Sequence, residues 1–137
     1  MPSLLIVEDN TDLRSALEVL FRTLGCEVRG AGSAREGLSE LFDRDFDLVI
    51  TDWLLGDATG GVMLQEAADA GSLADAGIII FTASLDEVTP ECPPRSVLVR
   101  KSCSVDELVT RVLSMLSVAK TNEPAPAGYF PGASITT

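Results

Sequence analysis

The stretch "LLIVEDN", Leu4–Asn10, sets the reading of the whole chain. Four apolar residues, Leu4–Val7, run without a break into two adjacent carboxylates, Glu8 and Asp9. A short, wholly apolar run reads as a strand buried on both faces, because a strand with one wet face alternates apolar with polar. Folding such a strand does not require a doubled negative charge at its end. Glu8 and Asp9 are therefore candidates for chemistry.

The same grammar repeats outward from this strand at residues 3–7. Residues 11–24 place Leu13, Leu17, Leu20, Phe21 and Leu24 on one helical face, and Gly25 stops that helix. "CEVR", residues 26–29, predicts a short second strand. Ser33 and Glu36 form a capping box that opens a helix over 34–44, with Leu38, Leu41 and Phe42 as its buried stripe. Gly37 inside it costs about 1 kcal/mol relative to Ala. "FDLVIT" predicts a third strand ending at Asp52, followed by a loop rich in Gly and Asp and a helix over 60–69. "GIIIFTAS" and "SVLVRK" predict the fourth and fifth strands. A second capping box, Ser104 with Glu107, opens a last helix over 105–118 that turns Val105, Leu108, Val109, Val112 and Leu116 inward. Apolar strands alternating with amphipathic helices define an α/β class, a doubly wound parallel sheet covered on both faces.

Composition narrows the function. The chain has 137 residues, which suits one domain, and a net charge of -11. That charge argues against nucleic acid and anionic membrane surfaces as partners, since both are bound largely through Lys and Arg. No apolar run is long enough to span a bilayer, and no basic-then-apolar leader opens the sequence, so a cytoplasmic protein is expected. Three scattered cysteines, Cys26, Cys92 and Cys103, fit reduced, inert thiols. The chain contains no histidine, which removes Ser-His-Asp and Cys-His nucleophiles, HExxH zinc sites and histidine bases together.

In open α/β sheets the ligand binds outside the carboxyl ends of the strands. Those positions hold Glu8 and Asp9 after the first strand, Asp52 after the third, Thr82 after the fourth and Lys101 after the fifth. Singly each has a plain reading: a helix N-terminal charge, a turn aspartate, a strand threonine, a solvated lysine. Jointly, at the ends of four strands, they make one crevice. Three crowded carboxylates call for a hard cation, and Mg2+ takes oxygen ligands. A carboxylate can also attack phosphorus to give an aspartyl phosphate. A threonine hydroxyl and a lysine ammonium would then bind the phosphoryl oxygens.

These residues resemble the receiver domain of two-component response regulators. The matching stretches are "LLIVEDN", "DLVITDWLLGDATGG", "IIIFTAS" and "LVRKS", and the resemblance covers residues 3 to about 118. It implies a flavodoxin-like (βα)5 sandwich with strand order 2-1-3-4-5. It implies Asp52 as phosphoacceptor, with Asp9 binding Mg2+ directly, Glu8 through water, and the backbone carbonyl of Leu54 as a further ligand. Thr82 and Lys101 would bind the phosphoryl group. The donor would be a phosphohistidine on a sensor histidine kinase or a histidine phosphotransfer protein. Such a domain signals by protein contact or phosphorelay and is not an enzyme in the usual sense, since it catalyses only its own phosphorylation and dephosphorylation.

Several positions depart from the family pattern. Leu98 stands where the switch residue is aromatic or histidine. Ser102 replaces the proline after the lysine, and a cis bond before a non-proline costs about 2.5–4 kcal/mol. Gly56 stands where proline is common and should loosen the loop after Asp52. "ASLDEVTPECPPRSV", with three prolines, leaves room for at most a short fourth helix, or none. The usual dimer surface should then be altered, and a monomer is expected. Leu54 and Ser84 flank the path of an attacking water, and apolar Leu54 predicts slow self-dephosphorylation. The expected organisation is a receiver domain over 1–119 and a flexible tail over 120–137 in which "PAGYF" is the one candidate docking motif. The alternatives are a pseudo-receiver that binds proteins without phosphorylation, or an enzyme on a similar fold. The enzyme reading lacks support: Leu54 replaces the second Asp of a haloacid-dehalogenase-type phosphatase, and there is no GxxxxGK loop.

Overall fold

A computed structural model of the chain describes residues 1–73, 75–83, 85–88, 93 and 96–121. Strands and helices alternate: β1 (Ser3–Val7), α1 (Thr11–Thr23), β2 (Glu27–Ala31), α2 (Ala34–Asp43), β3 (Leu48–Thr51), α3 (Gly60–Asp69), β4 (Gly77–Thr82), β5 (Val97–Arg100) and α4 (Val105–Thr121). The strands form one parallel sheet in the order β2-β1-β3-β4-β5, as expected of a flavodoxin-like sandwich.

The period-2 geometry of each strand sorts its apolar residues between two cores. Leu5, Val7, Val49, Ile78 and Ile80 face α2 and α3, where they meet Leu41, Met63, Leu64 and Ala67. Leu4, Ile6, Leu48, Ile50, Ile79, Phe81 and Val99 face α1 and α4, where they meet Leu17, Phe21, Leu108, Val112 and Leu116. Burying each of these large side chains contributes about 1.5–3 kcal/mol, so neither face of β1, β3 or β4 can be left to solvent.

Several helix and strand limits differ from expectation. β2 runs from Glu27 to Ala31 because it pairs residue for residue with β1, Ser3 with Glu27 through Val7 with Ala31. Cys26 is buried just before it, and burial pushes its thiol pKa up. Leu24 is exposed, since α1 ends at Thr23 and Gly25 takes a left-handed φ of 92°. Phe42 is 57% exposed: the wall of α2 that meets the sheet is built from Ala34, Gly37 and Leu41. Val105 is exposed on the first turn of α4, and that helix continues to Thr121 rather than ending at 118. The proposed tail beyond it lies outside the described residues.

Between β4 and β5 the described residues hold one 3-10 turn, Leu85–Glu87, and no α-helix. This agrees with the short or missing fourth helix of the sequence reading. Residues 84, 89–92 and 94–95, Cys92 among them, lie outside the described set. Among the described residues every peptide is trans, including Lys101–Ser102. None of their helices is long and apolar enough to cross a membrane.

Gly37 has a packing reason. A methyl group there would lie 2.6 Å from Met63 Sδ and 3.0 Å from Val7 Cγ2. The close approach of α2 to α3 and β1 therefore overrides helix propensity. Gly37→Ala should lower the unfolding free energy by about 1–3 kcal/mol in urea, despite the more helix-prone residue. An equal or higher stability would show that this contact does not limit packing.

Candidate functional site

The sheet holds its candidate site residues by carrying its hydrogen-bond ladder one residue past the strands. Glu8 N–H donates to the Ala31 carbonyl at 3.0 Å, Asp52 N–H to Val7 at 3.0 Å, and Lys101 N–H to Thr82 at 3.1 Å. The three backbones are fixed, so their side chains project together from the carboxyl edge.

Glu8 and Asp52 are buried there, while Asp9 is exposed at the rim. Carboxylate oxygens of Glu8, Asp9 and Asp52 all lie within 4.8 Å of one another. The Lys101 ammonium reaches in from β5, 2.7 Å from Asp52 Oδ2 and 2.7 Å from Glu8 Oε1. Asp52 Oδ1 accepts from the Trp53 N–H at 2.7 Å and the Leu54 N–H at 3.4 Å. Glu8 Oε2 accepts from the Asn10 N–H at 3.1 Å. Burial pushes the Glu8 carboxyl above its ordinary pKa, against the opposing pull of Lys101 and the Asn10 N–H. Burial lowers the Lys101 ammonium, but its bonds and charge contacts with Asp52 and Glu8 outweigh this and hold it above its ordinary value. The lysine thus stays charged while bridging two carboxylates.

Of the residues marked out in the sequence, Glu8, Asp9, Asp52 and Lys101 come together. Thr82 is buried at the end of β4, tied to Lys101 through its carbonyl. Leu54 lies exposed in the loop that follows Asp52. That loop closes on itself: Leu55 N–H donates to Ala58 O at 3.2 Å, Gly60 N–H to Trp53 O at 2.7 Å, and Gly56 turns with a φ of 83°.

Two contributors escaped the sequence reading. Arg14 on α1 donates from Nη1 to the Glu8 carbonyl at 2.6 Å, pinning the β1–α1 junction over the site. Its sequence signal, a Glu18 one helical turn on, reads as an ordinary surface pair. Asp57 caps α2 from the loop, accepting from Ala34 N–H and Arg35 N–H at 3.0 Å each. No local pattern marks a cap supplied from so far along the chain.

An acidic cluster at the carboxyl edge of a 2-1-3-4-5 sheet, answered by one lysine, is the arrangement of a signalling receiver. The response regulator receiver domain matches residues 4–113, and the chain belongs to that family. It is 33% identical over 88 residues to the transcriptional regulatory protein AfsQ1 of Streptomyces coelicolor, covering 64% of this chain and 38% of AfsQ1. It is 27% identical over 127 residues to the sensory transduction protein RegX3 of Mycolicibacterium smegmatis, covering 93% of this chain and 56% of RegX3. The chain therefore spans well under two thirds of either relative. Among solved structures it is similar to the response regulator protein TrrA of Thermotoga maritima in complex with Mg2+-BeF, with a TM-score of 0.72 and 27% identity over 84% of this chain and 99% of that one. Receiver domains are signalling domains that work with histidine kinases or phosphotransfer proteins and bind Mg2+ at an acidic pocket.

Removing the lysine tests the charge balance directly. Lys101→Met strands two buried carboxylates and should cost roughly 1–3 kcal/mol of stability at pH 7 in buffer without divalent ions. Unchanged stability would mean that the two short ion pairs do not hold in solution.

Proposed function

We propose that this chain is a phosphoacceptor that takes a phosphoryl group on Asp52 from a phosphohistidine, in a reaction dependent on Mg2+. The observation that carries this reading is the Lys101 ammonium bound to Asp52 inside a cluster of three carboxylates. The donor set fits the metal. It is all oxygen, and its 4.8 Å span suits an ion that binds oxygen at about 2.0–2.1 Å. Asp9 and Asp52 with the Leu54 carbonyl would hold Mg2+ directly, and Glu8 through water. Bound there, Mg2+ would offset the charge of the transferring group.

The protein's own part follows from its geometry. The Trp53 and Leu54 N–H groups and Lys101 hold the Asp52 carboxylate in one orientation. A carboxylate oxygen attacks phosphorus, the P–N bond to imidazole breaks, and the departing imidazole takes a proton from solvent. Lys101 then moves its bond from Asp52 to a phosphoryl oxygen, and the Thr82 hydroxyl donates to another. The donor is a sensor histidine kinase or a phosphotransfer protein, as for receiver domains in general, in agreement with a chain that carries no histidine. Output is by protein contact or phosphorelay from a cytoplasmic monomer, without nucleic acid or membrane binding by this domain.

Incubation with acetyl phosphate and Mg2+ should add one phosphoryl group by intact mass, and none in Asp52→Asn or without the metal. A folded wild type that takes up no phosphate from either acetyl phosphate or a phosphohistidine protein would leave a protein-binding pseudo-receiver. Leu54 offers no hydrogen bond to orient a water, so the phosphorylated form should persist, and Leu54→Asn should hasten its decay several-fold. No acceleration would show that this position does not set the lifetime.

A further inference from the structure

The loop between Asp52 and α3 is tethered at its tip to a helix outside the site. Leu55 and Ala58 close a two-residue turn at Gly56–Asp57, where the positive φ of Gly56 suits the first turn position. From that tip, Asp57 Oδ1 accepts from Ala34 N–H and Oδ2 from Arg35 N–H, both at 3.0 Å. The two bonds hold the Asp57 carboxyl below its ordinary pKa, so it is charged at neutral pH and faces the positive end of the α2 dipole. The helix does not depend on Asp57 for its start. Ser33 Oγ already accepts from Glu36 N–H at 3.1 Å, and Glu36 Oε1 accepts from Gly32 N–H at 3.0 Å. The loop gains more from the tether than the helix does. Gly56 is its most pliant residue, and a Cβ there would face Asp9 Oδ2 at 4.0 Å, so the turn runs beside the acidic cluster.

We propose that Asp57 is a positioning residue for the metal and phosphoryl site: by anchoring the turn to α2, it fixes the loop that carries Leu54 against Asp9 and Asp52. The inference rests on the Mg2+ site proposed above. It assigns to a side chain that touches neither metal nor phosphate the restraint that a proline at position 56 would otherwise provide.

The test compares Asp57→Ala, Asp57→Asn and Ser33→Ala. Mg2+ affinity is read by titrating MgCl2 against the fluorescence of Trp53, the chain's one tryptophan, beside Asp52, and checked by calorimetry. Amide exchange over residues 33–36 and 53–60 is read without metal. Asp57→Ala should weaken Mg2+ binding by about 3- to 10-fold, at or just below the range seen when groups supporting metal ligands are removed. It should also speed exchange at Ala34, Arg35 and the loop. Asp57→Asn keeps one acceptor and should fall between it and wild type. Ser33→Ala removes a cap of the same helix without touching the loop, so it should lower stability and leave Mg2+ affinity unchanged. Wild-type affinity in Asp57→Ala overturns the inference and leaves the proposed function standing. So does an equal loss in Ser33→Ala, which would trace the effect to the helix as a whole. A wild type that binds no Mg2+ overturns the proposed site and the inference with it.

Discussion

One lysine holds this site together. Three carboxylates lie within 4.8 Å of one another, and among the described residues the ammonium of Lys101 is the cation that reaches them, at 2.7 Å from both Asp52 and Glu8. Such crowding is expensive for a fold to maintain, because like charges at this distance repel strongly where water is scarce. The sheet resists it with backbone geometry. Ladder bonds from Glu8, Asp52 and Lys101 to neighbouring strands deny these residues the freedom to move apart. Both faces of the sheet are filled by apolar cores, so the carboxyl edge is where such a cluster can meet solvent and a ligand.

That division explains how much was legible in the sequence. Burial on both faces makes β1, β3 and β4 largely apolar runs, and the carboxyl ends of the strands then mark the candidate site by position. Glu8, Asp9, Asp52 and Lys101 were readable because strand ends are readable. Helix surfaces were less so. Periodicity picks a face but does not say how wide the covered stripe is, and Leu24, Phe42 and Val105 fall just outside it. Helix spacing also cannot reveal that α2 comes close enough to Met63 to require Gly37. Contacts that cross the chain left no trace: Asp57 looks like one more acidic turn residue until the fold brings the start of α2 to it.

Three departures from the family pattern, Leu98, Ser102 and the shortened link before β5, share one side of the molecule. β5 is an edge strand with Leu98 exposed, and the described part of the link before it holds only the turn Leu85–Glu87. Lys101 is the residue immediately after that strand. Through its side chain the lysine joins this edge to Glu8 and Asp52, at the ends of the central strands β1 and β3. Among the described residues one side of β5 is unpaired, although Val99 still anchors the strand in the core against α1 and α4.

The charge balance gives that edge a reason to move. Three ionised carboxylates against one ammonium leave the site with two negative charges in excess, which one divalent cation would offset. In the proposed reaction the phosphoryl group brings about -1.5 to -2 charges at pH 7, while the Asp52 carboxylate would lose its own on forming the acyl phosphate. With a divalent cation bound the site would be neutral before that transfer and negative after it, with the added charge carried beyond the carboxylate. Lys101 can follow it only by leaving Asp52 Oδ2, and its backbone is bonded to Thr82. Lys101, bonded to Asp52 by its side chain and to the Thr82 carbonyl by its backbone, thus links the ends of β4 and β5 to the Asp52 carboxylate.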